Sequence, residues 1–162
     1  MRKLLVSFTA FIVLFSALSV LAKPKKDIVD TAVDAGQFTI LAKALEAAGL
    51  VDVLKAKGKF TVFAPTDEAF RNLPEGTLEM LLKPENKEKL KAILLFHVVK
   101  TNLSAKKIGK LNGRQLVTAQ GGLLKVDTSN GVKINGANVT KTDVEAENGV
   151  IHIIDTVLIP SN

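Results

Sequence analysis

Residues 60–70 read Phe-Thr-Val-Phe-Ala-Pro-Thr-Asp-Glu-Ala-Phe, and they constrain the fold more than any other part of the chain. Phe60, Val62 and Ala64 alternate with Thr61 and Phe63. Apolar side chains therefore fall on both faces, and aromatic and β-branched types dominate, which is the signature of a buried strand. Pro65 ends the strand, because proline has no N–H for the ladder. Thr66 is a good helix N-cap, and Asp67 and Glu68 follow in the first turn, where the helix dipole favours negative charge. Ala69 and Phe70 continue the helix. The chain must hold this sharp strand-to-helix corner inside its core.

A second stretch answers it near the C-terminus. Residues 148–160 read Asn-Gly-Val-Ile-His-Ile-Ile-Asp-Thr-Val-Leu-Ile-Pro. The Asn148-Gly149 pair predicts a tight turn, and the apolar run after it is long enough for a core strand. Alternation places His152 and Ile154 on one face of that strand and Ile151 and Ile153 on the other.

Between and before these stretches the pattern changes from helical to extended. Ile28, Val29, Ala32 and Val33 predict one helical face. Phe38, Leu41, Leu45 and Ala48 predict a second helix, ended by Gly49. Leu50, Val53 and Leu54 give a short third helix closed by Gly58. Pro74 breaks the helix begun at Thr66, and Leu78, Leu81 and Leu82 supply another turn or two. Pro84 suits the start of a helix that turns Lys87, Lys89 and Lys91 outward and Leu90, Ile93 and Leu94 inward. Phe96 to Val99 then switches to strand-like spacing, and Ser104 to Gly109 predicts a short helix. In the last third, Asn-Gly recurs at Asn112, Asn130, Asn135 and Asn148. Short β-prone runs lie between these turns: 114–119, 123–128, 132–134 and 137–142. That is a β-meander. Helices followed by strands, with one strand from each half at the centre, argue an α+β fold in a single domain.

Composition narrows the function. The 162 residues suffice for one core, and 47% apolar content opposes disorder. The absence of cysteine excludes disulfides, thiol nucleophiles and thiolate metal sites. Residues 1–22 have the form of a secretory signal: Arg2 and Lys3, an apolar core from Leu4 to Leu21, and small residues through Ala22. An uncleaved membrane anchor is the competing reading. Loss of Arg2 and Lys3 lowers the formal net charge from +6 to +4. Lys23, Lys25 and Lys26 form a short basic tail at 23–26. No aromatic residues interleave with lysines, so nucleic acid is not an expected partner. Neither a phosphate loop nor a dinucleotide fingerprint is present, and no cofactor is expected.

The three motifs carry a family resemblance. The stretches at 60–70 and 148–160 are similar to the two signature boxes of the fasciclin domain. Leu94 to Val99, Leu-Leu-Phe-His-Val-Val, resembles that family's central tyrosine-histidine motif, with Phe96 in place of tyrosine. The motifs stand in family order and spacing, and the resemblance covers Asp27 to Ser161. It implies a single α+β domain, 27–161, built as a compact β-wedge flanked by several short α-helices. The motif residues it marks as structural are Thr61, Phe63, Ala64, Pro65, Thr66, Asp67, Phe70, Asn148, Gly149, His152 and Asp155. In animal members an Asp-Ile pair shortly before the C-terminal box is tied to integrin adhesion. Here those positions are Asp143 and Val144. The resemblance thus implies a partner-binding set of Phe96, His97, Asp143 and Val144, lacking the phenol hydroxyl and with valine in place of isoleucine. A turn or strand-end role is the plainer reading of Asp143.

His97 admits two readings: a recognition residue beside Phe96, or a core histidine bonded to a neighbour such as Thr66 or Asp67. His152 is far from it in sequence, and no carboxylate pair or serine accompanies either, so neither a metal site nor a nucleophilic triad is expected. Asp155 is expected to pair with a basic neighbour or cap its strand. Asn102 and Asn138 fit the glycosylation acceptor pattern. The resulting expectation is an exported, non-catalytic adhesion module, secreted or periplasmic and bacterial in type. It would recognise a protein or glycan at a cell surface or matrix, with weak self-association supplying avidity. The alternative is an envelope carrier for a lipid or quinone, with Phe38, Phe63, Phe70 and Phe96 lining its pocket.

Overall fold

The computed structural model describes residues 25–161. The signal at 1–22 and the first two residues of the basic tail lie outside that range. Three helices open the fold: α1 (Ile28–Asp34), α2 (Thr39–Ala48) and α3 (Val51–Lys55). Strand β1 (Phe60–Pro65) leads into α4 (Asp67–Arg71), and α5 (Thr77–Leu81) follows. A 3-10 turn at Pro84–Asn86 runs into α6 (Lys87–Phe96). Then come β2 (Val98–Val99) and α7 (Ala105–Ile108). The chain finishes with β3 (Gln115–Val117), β4 (Leu123–Asp127), β5 (Lys133–Ile134), β6 (Ala137–Ala146) and β7 (Gly149–Ile154).

All seven strands join one sheet in the order β2-β1-β7-β6-β5-β4-β3. The two motif strands are neighbours, β1 parallel to β7, with Phe63 opposite His152. Every other pairing is antiparallel. The meander from β3 to β7 is the one expected from the turn spacing. Asn135 and Gly136, both at positive φ, form a two-residue hairpin turn between β5 and β6, the geometry an Asn-Gly pair favours.

Both faces of the β1–β7 pair are buried, as the absence of polar alternation demanded. Val62, Ala64, Ile151 and Ile153 pack under α1, α2 and α6, against Leu41, Leu45 and Leu94. Phe63 and Ile154 face the other way, onto Phe96, Ile108, Leu124, Val126 and Ile134. Strands β3 to β5 thus fold back over the opposite face of β1 and β7. Register shifts in β6 between Val139 and Lys141, and between Lys141 and Val144, accommodate the bend. The curl returns the chain to the first edge, where Ala119 N–H donates to the Val98 carbonyl at 2.7 Å. The result is a mixed α/β wedge with one seven-stranded sheet.

Several local expectations need correction. Val33 and Val53 are about half exposed, because at 100° per residue they stand at the edge of the faces that α1 and α3 bury through Ile28, Val29, Ala32 and Leu54. Phe96 closes α6 instead of opening a strand. Strand β6 runs to Ala146 instead of ending at Thr142, since its irregularities let pairing continue past the bend. Lys25 and Lys26 are exposed but held: Lys25 pairs with Glu145 at 3.2 Å, Lys26 pairs with Asp34, and the Lys26 carbonyl accepts from Glu147 N–H.

The turn before β7 also differs from the Asn-Gly expectation. Its two residues are Glu147 and Asn148, while Gly149 already belongs to β7 and pairs with Ala146. Glycine is required there for space. A Cβ at 149 would stand 2.1 Å from the Phe60 carbonyl oxygen and 2.8 Å from Ile28 Cδ1. Gly149→Ala must therefore push β1 from β7, and with backbone as the obstacle the cost is expected at the upper end of the overpacking range, about 3 kcal/mol. Thermal unfolding followed by circular dichroism is expected to show a fall in the midpoint of ten degrees or more, about the shift such a loss gives a domain of this size.

Candidate functional site

The motif residues are mutually bonded, and each bond has a local cause. Thr66 Oγ1 accepts from Ala69 N–H at 3.3 Å and caps α4. Asp67 reaches outside its own helix: Oδ1 accepts from Ile40 N–H at 2.8 Å, which caps α2, and Asp67 N–H donates to the Gln37 carbonyl at 2.9 Å. The corner after β1 is thereby tied to the start of α2. At the far end of β7, Asp155 Oδ1 accepts from Asn138 N–H and Oδ2 from Asn138 Nδ2, at 2.9 and 2.8 Å. Partial burial raises the Asp155 pKa, but the hydrogen bonds from Asn138 and Thr156 outweigh this and hold it below the usual carboxylate value. Asp155 thus caps the strand end and, among the described residues, has no basic partner. The Asn138 amide of the second acceptor motif is engaged in this pair.

His97 is buried, 2% exposed, at the C-terminus of α6. Leu158 N–H donates to Nε2 at 2.9 Å, so the proton sits on Nδ1, which donates to the Ile93 carbonyl at 2.8 Å. The ring joins the last turn of α6 to the C-terminal segment. Its partners are backbone groups, not Thr66 or Asp67. Burial pushes its pKa down to about 4, against the smaller opposing effect of the Ile93 bond.

His152 is fully buried on the opposite face of the sheet, stacked on Phe63 with ring centroids 5.7 Å apart. Asp143 N–H donates to Nδ1 at 3.3 Å, and Nε2 donates to the Leu103 carbonyl at 2.6 Å. Leu103 N–H in turn donates to Thr61 Oγ1 at 2.8 Å, and that hydroxyl donates to the Thr101 carbonyl. Asp143 closes the chain of bonds, since its Oδ1 accepts from Ala105 N–H at 2.8 Å at the start of α7. Asp143 has φ +56°, a left-handed conformation that aspartate tolerates better than most residues. It occupies the irregular middle of β6, not a turn or strand end. Burial lowers the His152 pKa, while the Leu103 bond and the Asp143 charge oppose it.

The four residues implied for partner binding do not form one patch. Phe96, 3% exposed, lies on the wedge side beneath Gly122, and His97 on the helix side. Asp143 is exposed beside α7, in an open cleft with Asn102, Ser104 and Glu145. Val144 faces the other way, beside Phe38 and Ile153. Surface access is concentrated at Asp143. The four phenylalanines proposed to line a pocket also separate, Phe38 and Phe70 to the helix side, Phe63 and Phe96 to the wedge side. The enclosed apolar space beside His97 is about 20 Å³, room for a single water and not a lipid.

The family model for the Fasciclin domain matches residues 36–160. The chain belongs to the fasciclin domain family. Protein sll1483 of Synechocystis sp. is 46% identical over 134 residues, covering 82% of this chain and 73% of that protein. Pig transforming growth factor-beta-induced protein ig-h3 is 38% identical over 148 residues, 91% of this chain but 21% of its own length. Among solved structures, a FAS1 domain pair from the insect cell adhesion molecule Fasciclin I matches with a TM-score of 0.58 and 24% identity. That likeness covers 80% of this chain and 45% of the neighbour, so the chain spans less than half of it, and it shows the fold. The match of a fasciclin model to 36–160 agrees with the resemblance read from the three motifs.

Sequence reasoning marked Asn148 as a motif residue but missed its bonds to α1, α3 and β1, and it missed the link between Asp143 and His152. Spacing could have suggested the second, because a hairpin turn at 147–148 brings the two strands face to face.

Two buried neutral histidines set the acid response. Folded His97 keeps its proton off until about pH 4, whereas the unfolded chain takes it up near 6.5. The unfolded state thus binds more protons in that window, and stability falls as pH drops through it. His152 acts in the same direction. From pH 6.5 to 5, His97 alone is expected to account for about 1.5 kcal/mol. Urea unfolding at those two pH values is expected to show that loss, with a shallower dependence in His97→Gln.

Proposed function

We propose that this chain is an exported, non-catalytic interaction module that recognises a protein or glycan at a cell surface or in an extracellular matrix, working in the periplasm or the medium. Kinship supports the reading first: ig-h3 and the insect cell adhesion molecule share its family. The observation that carries it is the occupation of both ring nitrogens of both histidines by backbone groups. Neither is placed to take a proton from a substrate without breaking the fold, which favours a surface role over catalysis. Asp143 is the member of the implied binding set with an exposed carboxylate, and Oδ2 has no partner among the described side chains. One such site is weak, so weak self-association or crowding at a surface would supply the avidity.

Purified protein is expected to bind whole cells or immobilised matrix saturably. Asp143→Asn keeps an acceptor for Ala105 N–H and tolerates the left-handed backbone, so it is expected to fold normally and bind several-fold more weakly. Absence of binding by the folded wild type would contradict the reading. So would a hydrolytic turnover abolished by His97→Ala.

A further inference from the structure

Charge is distributed very unevenly along the chain. Between Glu88 and Asp127 there are eight lysines and arginines and no acid, although the whole chain carries only +6. Four of them, Lys106, Lys107, Lys110 and Arg114, fall within nine residues on α7 and the turns after it. All four are exposed. Lys106 and Lys107 stand four and three residues before Lys110, so consecutive turns bring them together. Among the described residues none of the four makes an ion pair, whereas Lys25, Lys26 and Lys55 all do.

The segment is also held in place. Ile108 is fully buried against the wedge core, Asp143 caps Ala105, and Lys107 Nζ donates to the Asn102 carbonyl at 3.0 Å. Two nearby acids, Asp143 and Asp127, form no ion pair with any of the four. Asp143 sits at the opposite end of α7 from Lys110, and Asp127 Oδ1 is bonded to Ser129 N–H and Oγ.

We infer that this rigid cationic turn is the docking surface for an acidic polysaccharide, a polymer carrying regularly spaced carboxylate or sulfate groups. The chemistry selects that partner. Protein interfaces are centred on apolar and aromatic anchors, and a membrane-binding face sets apolar side chains beside its cations. Among the described residues the exposed large apolar ones, Val33, Val53, Met80, Val117, Leu123 and Ile159, lie outside residues 100–114; the nearest in sequence, Val117, stands on β3 beyond Arg114. Nucleic-acid surfaces add stacking aromatics, and this segment has none. What it offers is charge, amide and hydroxyl groups, which match a hydrated polyanion. The inference rests on the module reading above and names the class of its partner.

The test is binding of the purified protein to immobilised polygalacturonate and dextran sulfate, with neutral dextran as control. Retention is expected on one or both acidic polymers and not on dextran, weakening as salt rises from about 50 to 200 mM. Substituting Lys106, Lys107, Lys110 and Arg114 by glutamine is expected to weaken binding at least tenfold. Replacing Lys83, Lys87, Lys89 and Lys91 by glutamine removes the same charge from α6 and its approach, and is expected to change affinity less than threefold. Equal losses in the two variants would mean a net-charge effect and overturn the assignment. So would retention on phosphatidylglycerol vesicles but on neither polymer. If both polymers fail while matrix binding persists, this inference falls and the module reading stands; if both bindings fail, both fall.

Discussion

Asn148, through its side chain and its backbone carbonyl, joins four separate parts of the molecule at one buried point: its own turn before β7, α1, α3 and β1. Its Oδ1 accepts from Ile28 N–H at 3.0 Å, at the start of α1, and its Nδ2 donates to the carbonyls of Leu54 and Ala56 at the end of α3. Its own carbonyl accepts from Phe60 N–H at 3.0 Å, where β1 begins. Helix ends leave backbone groups without partners, and burying them unpaired is costly. An amide supplies donor and acceptor together, so one residue completes both helix ends and fixes where β1 starts against β7. Gly149 then lets the two strands approach without a Cβ between them. The parallel central pair, and the two cores on either side of it, depend on that corner.

The buried histidines extend the same principle. Each replaces a missing piece of regular hydrogen bonding where the chain leaves a helix or a strand. His97 bridges the end of α6 to Leu158, and His152 bridges the irregular middle of β6 to the loop before α7. A neutral imidazole can do this because it presents one donor and one acceptor. The network running from Thr61 through Leu103 and His152 to Asp143 therefore links β1, the loop, β7 and β6 in a single path. The exposed Asp143 carboxylate and the cationic turn on α7 are positioned by it, which connects the buried motif to the surface.

Much of this was legible in the sequence because periodicity reports burial directly. The two-faced strand at 60–65, the cap at Thr66, the helix face of Leu41 and Leu45, and the meander spacing all follow from local pattern. What the sequence hid was non-local. Asp67 caps α2, 27 residues earlier, and Asn148 bonds a residue 120 positions away. Local pattern carries no record of such pairings. The exposure of Val33 and the helical end at Phe96 were missed for a related reason, since both depend on where neighbouring elements stop. Asp143 looked like a turn residue because its positive φ belongs to a bulge whose position only the β6–β7 register reveals.

If the Asn148 amide holds the fold together, its loss must show in the equilibrium unfolding of Asn148→Ala at neutral pH. The substitution removes partners from two buried backbone groups, Ile28 N–H and the Leu54 carbonyl, at about 1–3 kcal/mol each, and from the part-buried Ala56 carbonyl. The expected loss is about 3 kcal/mol or more, with amide exchange at Ile28 accelerating along with global unfolding. A loss within about 0.5 kcal/mol, the range of an ordinary surface substitution, would contradict it.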